Sequence, residues 1–141
     1  SAARSPRPKT PTLPHARLPG HCKPMALIRP FIPARDFEVS KAFYSAIGFT
    51  LGYHDESVAI FEYEGAGLLL QNFYVEEFAG NSMHQLFVAD LDAWWPRTAD
   101  LAERFGVREP TPPKLQPWGI RVGFLVDPAG VLWHVAEDAP H

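Results

Sequence analysis

One arrangement of predicted elements occurs twice along the chain. The first copy is a strand, a helix and three strands, at residues 27–32, 36–47, 49–53, 58–63 and 68–74. Asp36 offers a helix N-cap, Gly48 a helix end, and residues 64–67 a hairpin turn. The second copy begins near Met83, and each copy has about 50–60 residues. The pattern therefore predicts an internal duplication, and the fold class follows from it. Two curved sheet halves with their helices outside leave a cleft lined by sheet residues.

The second copy differs in its helix and in the loop that follows. After a strand at residues 83–88, Asp90 or Asp92 caps a helix that ends near Phe105, with Gly106 as its stop. Proline is tolerated in a helix only in the first turn, so Pro96 favours Asp92 as the cap. The remaining segments are predicted as a short strand, a proline-rich loop and two strands, at residues 107–108, 109–114, 119–126 and 131–136.

Charge and proline divide the chain near Met25. Residues 1–24 contain five basic side chains, no acidic one and 6 of the 15 prolines. Such a segment cannot build a core, so we interpret it as a basic, proline-rich extension derived from a vector or from upstream readthrough, with a transit peptide as the alternative. Residues 25–141 are predicted to form a single domain, with modules at about 25–80 and 81–141.

The domain has eight basic residues against all 16 acidic ones, a net charge of −8. That charge should repel nucleic acid and anionic membranes and attract cationic ligands. No apolar run approaches the ~18–20 residues of a membrane-spanning helix, so we expect a cytoplasmic protein with no membrane or nucleic-acid partner. The single cysteine, Cys22, excludes an internal disulfide and a zinc finger.

Two motifs resemble one known family. Residues 32–37 (Ile-Pro-Ala-Arg-Asp-Phe) with 42–44 and 47–49, and the closing run 127–137, resemble the vicinal-oxygen-chelate superfamily of glyoxalase I, extradiol dioxygenases, and fosfomycin and bleomycin resistance proteins. The resemblance covers residues 25–139. It implies an α+β fold in which two βαβββ modules form a curved, cleft-bearing mixed sheet with the helices outside, usually as a homodimer.

Enzymes of this superfamily hold a metal ion on the strands of both modules. The resemblance carries those positions to Arg29, to Leu69 or Gln71 depending on register, to Met83 and to His134. Only His134 is a good ligand, and one ligand does not hold a metal. His84 lies one residue off and therefore on the opposite face of its strand, although a different register would pair it with His134. We therefore expect no metal and no other cofactor.

The bleomycin resistance proteins match best among the metal-free members. Residues 33–37, the segment Gln116-Pro117-Trp118-Gly119 and the run 127–137 carry this resemblance. It implies a protein that performs no chemistry and sequesters the antibiotic in clefts of a homodimer. Trp118 matches the family tryptophan that stacks on the flat bithiazole of the drug.

The candidate site combines flat aromatic surfaces with negative charge, because the drug has a planar unit and a cationic tail. The predicted ligand-binding residues are Trp118, Phe73, Tyr74, Glu76, Glu77, Asp55, Glu56, His134 and Gly119. For the four acids the alternative is a solvated loop charge, for His134 a cleft histidine without a role, and for Gly119 a purely backbone role. Core packing is predicted instead for Phe43, Tyr44, Trp94, Trp95, Phe105 and Trp133.

Two other functions stay open at this stage. One is a metal-dependent lyase, isomerase or dioxygenase of the same superfamily. The other is a binder of a different flat, cationic small molecule, since a fold does not fix its ligand.

Overall fold

A computed structural model describes residues 26–137 of the chain, and the predicted extension at residues 1–24 lies outside them. The first module contains β1 (Phe31–Pro33), α1 (Phe37–Ala46), β2 (Thr50–His54), β3 (Val58–Tyr63) and β4 (Ala66–Gln71). A short helix, α2 (Glu76–Asn81), joins it to the second module. That module contains β5 (Met83–Val88), α3 (Leu91–Trp94), a 3-10 helix (Trp95–Thr98), α4 (Leu101–Phe105), β6 (Thr111–Leu115), β7 (Arg121–Val126) and β8 (Leu132–Glu137). No helix within residues 26–137 is long and apolar enough to cross a membrane.

The two modules have the same topology, as the repeat predicts. Each forms a four-stranded mixed sheet, in the order β1-β4-β3-β2 and β5-β8-β7-β6. The first strand of each module runs parallel to the last, and the other pairs are antiparallel. The prediction of two βαβββ modules in an α+β fold is confirmed.

Local signals place α1 and the hairpin after β3. The Asp36 carboxylate accepts a hydrogen bond from the Val39 amide at 3.2 Å, which is the predicted N-cap. The hairpin has only two loop residues, Glu64 and Gly65, both with positive φ (47° and 91°), as a type I′ turn requires. Ala66 therefore belongs to β4, and the prediction of a turn over residues 64–67 was two residues too long.

The helical region of the second module departs from the prediction. Asp90, not Asp92, is the N-cap, and its carboxylate accepts a hydrogen bond from the Ala93 amide at 3.1 Å. The helix breaks into a 3-10 segment that accommodates Pro96. The proline therefore does not require the helix to begin at Asp92. Asp92 is exposed and pairs with Arg121 at 2.7 Å.

Two predicted loops contain regular structure. Residues 109–114 were predicted as a loop, yet Thr111–Leu115 form β6. This strand lies at the edge of its sheet. Pro112 and Pro113 have no backbone N–H to donate, and an edge strand tolerates this because it has a neighbouring strand on one side only. The acids Glu76 and Glu77, predicted after a strand, occupy the first turn of α2, where a helix favours negative charge.

The helices cover one face of each sheet. On the first sheet, Phe61 lies on this face and packs against Tyr44 of α1, with the ring centroids 6.0 Å apart. On the second, Gly123 lies beneath the Trp95 indole, which the Cβ of any other residue would overlap. Tyr44, Trp94 and Trp133 are buried, as predicted, whereas Phe105 is partly buried.

A buried hydrogen-bond network joins the two modules. The Tyr44 hydroxyl of α1 donates to Asp127 Oδ2 at 2.5 Å and accepts from Trp133 Nε1 of β8 at 3.0 Å. Asp127 Oδ1 accepts from the amides of Ala129 and Val131, at 2.8 and 2.9 Å, which holds the turn between β7 and β8. Burial raises the pKa of Asp127 in spite of these hydrogen bonds, and burial beside this carboxylate raises the pKa of Tyr44.

The substitution Tyr44→Phe should lower the free energy of unfolding by about 1–3 kcal/mol, because it leaves Asp127 Oδ2 and Trp133 Nε1 buried without a partner. Urea denaturation followed by circular dichroism measures this loss. The matched control is Tyr53→Phe, which removes an exposed hydroxyl that also donates to an aspartate. Equal, small losses for both variants would contradict a structural role of the network.

Candidate functional site

Each sheet has a second face, opposite the one on which the helices pack, which we call the open face. On the second sheet, Ala136 and Val122 lie on this face and are nevertheless buried. On the second sheet, Gln85, His134 and Phe124 stand side by side across β5, β8 and β7. The His134 and Phe124 rings meet edge to face, with their centroids 4.8 Å apart. Phe87 of β5 lies on the same face and is 53% exposed.

The equivalent row of the first sheet is apolar. Phe31, Leu69 and Ile60 stand side by side across β1, β4 and β3. Phe31 and Gln85 each lie five residues before the N-cap aspartate of their module, so the row matches the one that contains His134. Leu69 is therefore the equivalent of His134, which resolves the register that the sequence left between Leu69 and Gln71.

The strand register separates the two histidines of the second sheet. His84 pairs with Trp133 on the helix-covered face, whereas Gln85 pairs with His134 on the open face. A site built from both His84 and His134 would need a one-residue slip of β5, which would also turn the buried Leu86 outward. Within residues 26–137, no three His, Cys, Asp or Glu side chains cluster closely enough to hold a metal ion.

Trp118 lies at the tip of the β6–β7 turn. The turn is closed by the Gln116 amide, which donates to the Ile120 carbonyl at 2.9 Å, and by the Gly119 amide, which donates to Gln116 at 2.9 Å. Gly119, predicted as a ligand-binding residue, has φ 98°, which fits the alternative of a purely backbone role. The Trp118 side chain is 63% exposed, so its indole faces are available for stacking.

The predicted acids lie together at one end of the first sheet. Asn72, at the end of β4, holds the β2–β3 turn: its amide donates to Ser57 O at 2.8 Å and its side chain to Glu56 O at 3.0 Å. Phe73, which is 54% exposed, comes next, and α2 begins three residues later. We call the residues Asp55, Glu56, Glu76 and Glu77 the acidic end.

Asp55 and Tyr74 are held by other residues of the module. The Tyr53 hydroxyl and the amides of Ser57 and Val58 donate to the Asp55 carboxylate, which lowers its pKa and keeps it charged. The Arg35 guanidinium lies over the Tyr74 ring, 5.0 Å from its centroid, and donates to its hydroxyl at 3.1 Å. Both side chains therefore have a structural role besides any contact with a ligand.

The chain does not bring all predicted site residues to one place. The acidic end, Phe73 and Tyr74 belong to the first module, and Trp118, Gly119 and His134 to the second. Across residues 26–137, no hydrogen bond, ion pair or ring contact joins the two groups.

A cavity that the sequence pattern does not predict lies between the modules. Its volume is about 220 Å³, and its walls include Phe49, Trp133, Leu86 and His84. The half-buried His84 ring lies 5.1 Å from the Trp133 ring, and burial lowers the pKa of this histidine. The sequence signal for this cavity was His84, a polar residue that the alternation along β5 places on the helix-covered face.

Comparison with known proteins agrees with this geometry. Residues 20–135 match the sequence profile of the Glyoxalase/Bleomycin resistance protein/Dioxygenase superfamily. The chain belongs to this superfamily. A bleomycin resistance protein of Klebsiella pneumoniae is 28% identical over 125 residues, which cover 77% of this chain and 90% of that protein.

Solved structures of two binding proteins share the fold. The crystal structure of a bleomycin-binding protein in complex with bleomycin superposes with a TM-score of 0.66 at 24% identity, over 81% of this chain and 99% of that one. An antibiotic-binding protein from Streptomyces, TnmS3, superposes with a TM-score of 0.65 at 24% identity, over 84% and 100% of the two chains. At this identity the two likenesses show a common fold.

Acidification should cost the wild-type protein stability through His84. Its pKa in the folded state lies below the ordinary 6.5, so the unfolded chain binds a proton more readily. The free energy of unfolding should therefore fall as pH drops from 6.5 through the lowered pKa, and this part of the slope should vanish in His84→Phe. Urea denaturation at a series of pH values measures the slope, with His54→Phe, at an exposed histidine, as the control. A slope unchanged by His84→Phe would contradict the burial of a neutral imidazole.

Proposed function

We propose that this protein binds and sequesters a flat, cationic small molecule of the bleomycin type, in clefts of a homodimer. The single observation that carries the proposal is the exposed Trp118, held at the tip of a hydrogen-bonded turn on a fold shared with a bleomycin-bound protein. The 28% identity to a bleomycin resistance protein supports the choice of drug.

Trp118 offers the surface that such a ligand needs. A planar heteroaromatic unit stacks on an indole, and a nearby cationic group gains from the ring as well. Because the turn is closed by two backbone hydrogen bonds, the indole is presented without a large loss of loop entropy on binding.

The acidic end supplies the complementary charge. Glu56, Glu76 and Glu77 are exposed and make no direct ion pair within residues 26–137, so their carboxylates can contact a cationic tail. Arg35 lies close enough to Glu76 to interact with its charge, so Glu56 and Glu77 are the less compensated of the three. Phe73 adds an exposed aromatic ring beside them. Asp55 strengthens the local field, although the turn amides already occupy its Oδ1 and the Tyr53 hydroxyl donates to its Oδ2.

A homodimer would bring the two groups of residues together. In one chain Trp118 and the acidic end belong to different modules, whereas a second copy could place its Trp118 opposite the acidic end of the first. The open faces also expose Phe31, Met83 and Phe87, and packing against a second copy would remove these apolar side chains from water.

Titration calorimetry with copper bleomycin tests the ligand. We expect micromolar or tighter binding, and at least tenfold weaker binding by Trp118→Ala, which corresponds to about 1.4 kcal/mol. Leu115→Ala is the matched control, because Leu115 is as exposed as Trp118 and lies on the preceding strand but has no ring. The double variant Glu76→Gln/Glu77→Gln should also bind more weakly, unlike Glu103→Gln on α4.

No heat of binding together with no protection of DNA from drug cleavage would reject the proposed ligand. Binding that is equally strong in Trp118→Ala and in the wild type would reject the proposed site.

The dimer has its own test. Analytical ultracentrifugation should give twice the 15.8 kDa mass of the chain, and Phe87→Glu should return the protein to a monomer by placing a charge in the apolar interface. Phe78→Glu is the control, because Phe78 is similarly exposed but lies on α2 and not on an open face. A monomeric wild-type protein, or a Phe87→Glu variant that stays dimeric, would contradict the proposed interface.

A further inference from the structure

We propose that the cavity between the modules is a second binding site, for a neutral bicyclic aromatic molecule with one hydrogen-bonding ring nitrogen. The cavity lies between the segment that leads into β1, at Ile28 and Pro30, and strand β5, at His84 and Leu86. Its histidine is on the helix-covered side of the sheet, and the residues that line the cavity include neither Trp118 nor the acidic end, which are proposed for the drug.

The size of the cavity limits its occupant. An apolar cavity of ~150 Å³ in another protein stays dry and accepts a single benzene ring. The present cavity has about 220 Å³, which leaves room for two fused rings. A drug of the bleomycin class is far too large for it.

The walls select an aromatic and uncharged ligand. Phe49 and Trp133, whose ring centroids lie 6.4 Å apart at 59°, present aromatic surface, and Leu86 and Pro30 add apolar surface. Among the described residues that line it, none is Lys, Arg, Asp or Glu. A charged ligand would lose its hydration there without gaining a counter-ion.

His84 supplies the polar contact. Its imidazole makes no hydrogen bond and no ion pair with any residue from 26 to 137, although it lines the cavity and is half-buried. A neutral imidazole has one donor and one acceptor nitrogen, so a ligand ring N–H could donate to it. Pockets of this kind, mostly apolar with one or two polar groups, are typical of small-molecule sites.

Indole and indene form the matched pair of probes, because they have the same shape and only indole has an N–H. Titration of the full chain, followed by protein NMR, should show submillimolar indole binding with shifts at the amides of His84, Leu86 and Trp133. Indene should bind at least threefold more weakly. In His84→Phe the two probes should bind equally, whereas His54→Phe, at a histidine away from the cavity, should keep the preference for indole.

Ala66→Leu tests the location. Ala66 is exposed and lines the cavity, so a leucine there can fill it without disturbing the core, and indole binding should weaken at least tenfold. The Ala66→Leu variant should bind copper bleomycin as tightly as the wild type does. The proposed indole site and the proposed drug site can therefore be confirmed or rejected independently. No indole binding at millimolar concentration, binding that survives Ala66→Leu, or shifts confined to other regions would each overturn the proposal.

Discussion

The contact on which the two-module structure depends is the hydrogen-bond network of Tyr44, Asp127 and Trp133. It crosses from α1 of the first module to a turn and a strand of the second, and all three side chains are buried. Apolar packing alone could let one module shift against the other. A buried carboxylate that needs the Tyr44 hydroxyl admits one relative position, because any other leaves polar groups unpaired away from water. The cavity beside Trp133 owes its shape to this fixed position.

The sequence predicted the repeat well because its signals are local. Asp36 and Gly48 bound α1, apolar side chains recur at the helical period within it, and Gly106 ends α4 in the left-handed conformation. The failures have physical reasons as well. Pro112 and Pro113 suggest a loop, because proline is excluded from interior strands. Their strand lies at the edge of its sheet, and this position is set by the assembled sheet and not by the local sequence. Pro96 favours Asp92 as a cap only if the helix is continuous, whereas the chain breaks into a 3-10 segment at Trp95 and keeps Asp90 as the cap.

The candidate site was harder to predict than the fold. A motif identifies Trp118 by its neighbours in the chain. Whether the Trp118 side chain can contact the same ligand as the acidic end depends instead on how the two modules pack and, in our proposal, on how two copies of the chain associate. Side-chain direction was predictable in part: the alternation along β5 already placed His84 opposite to His134, and the register confirms it. The cavity at His84 required three-dimensional structure, since residues distant in sequence line it. The donors to Asp55 lie only two or three positions away in the chain, but which of them reach the carboxylate depends on the backbone path of the turn.

The outer strands of the two sheets bear on how the molecule stays in solution. β6 has two prolines and an irregular register, and β2 has an irregular register at Leu51 and His54, so neither offers a clean ladder to a foreign strand. The strands at the opposite edges of the two sheets, β1 and β5, have no such irregularity. A foreign strand would therefore find a regular template at β1 or β5 and not at β2 or β6.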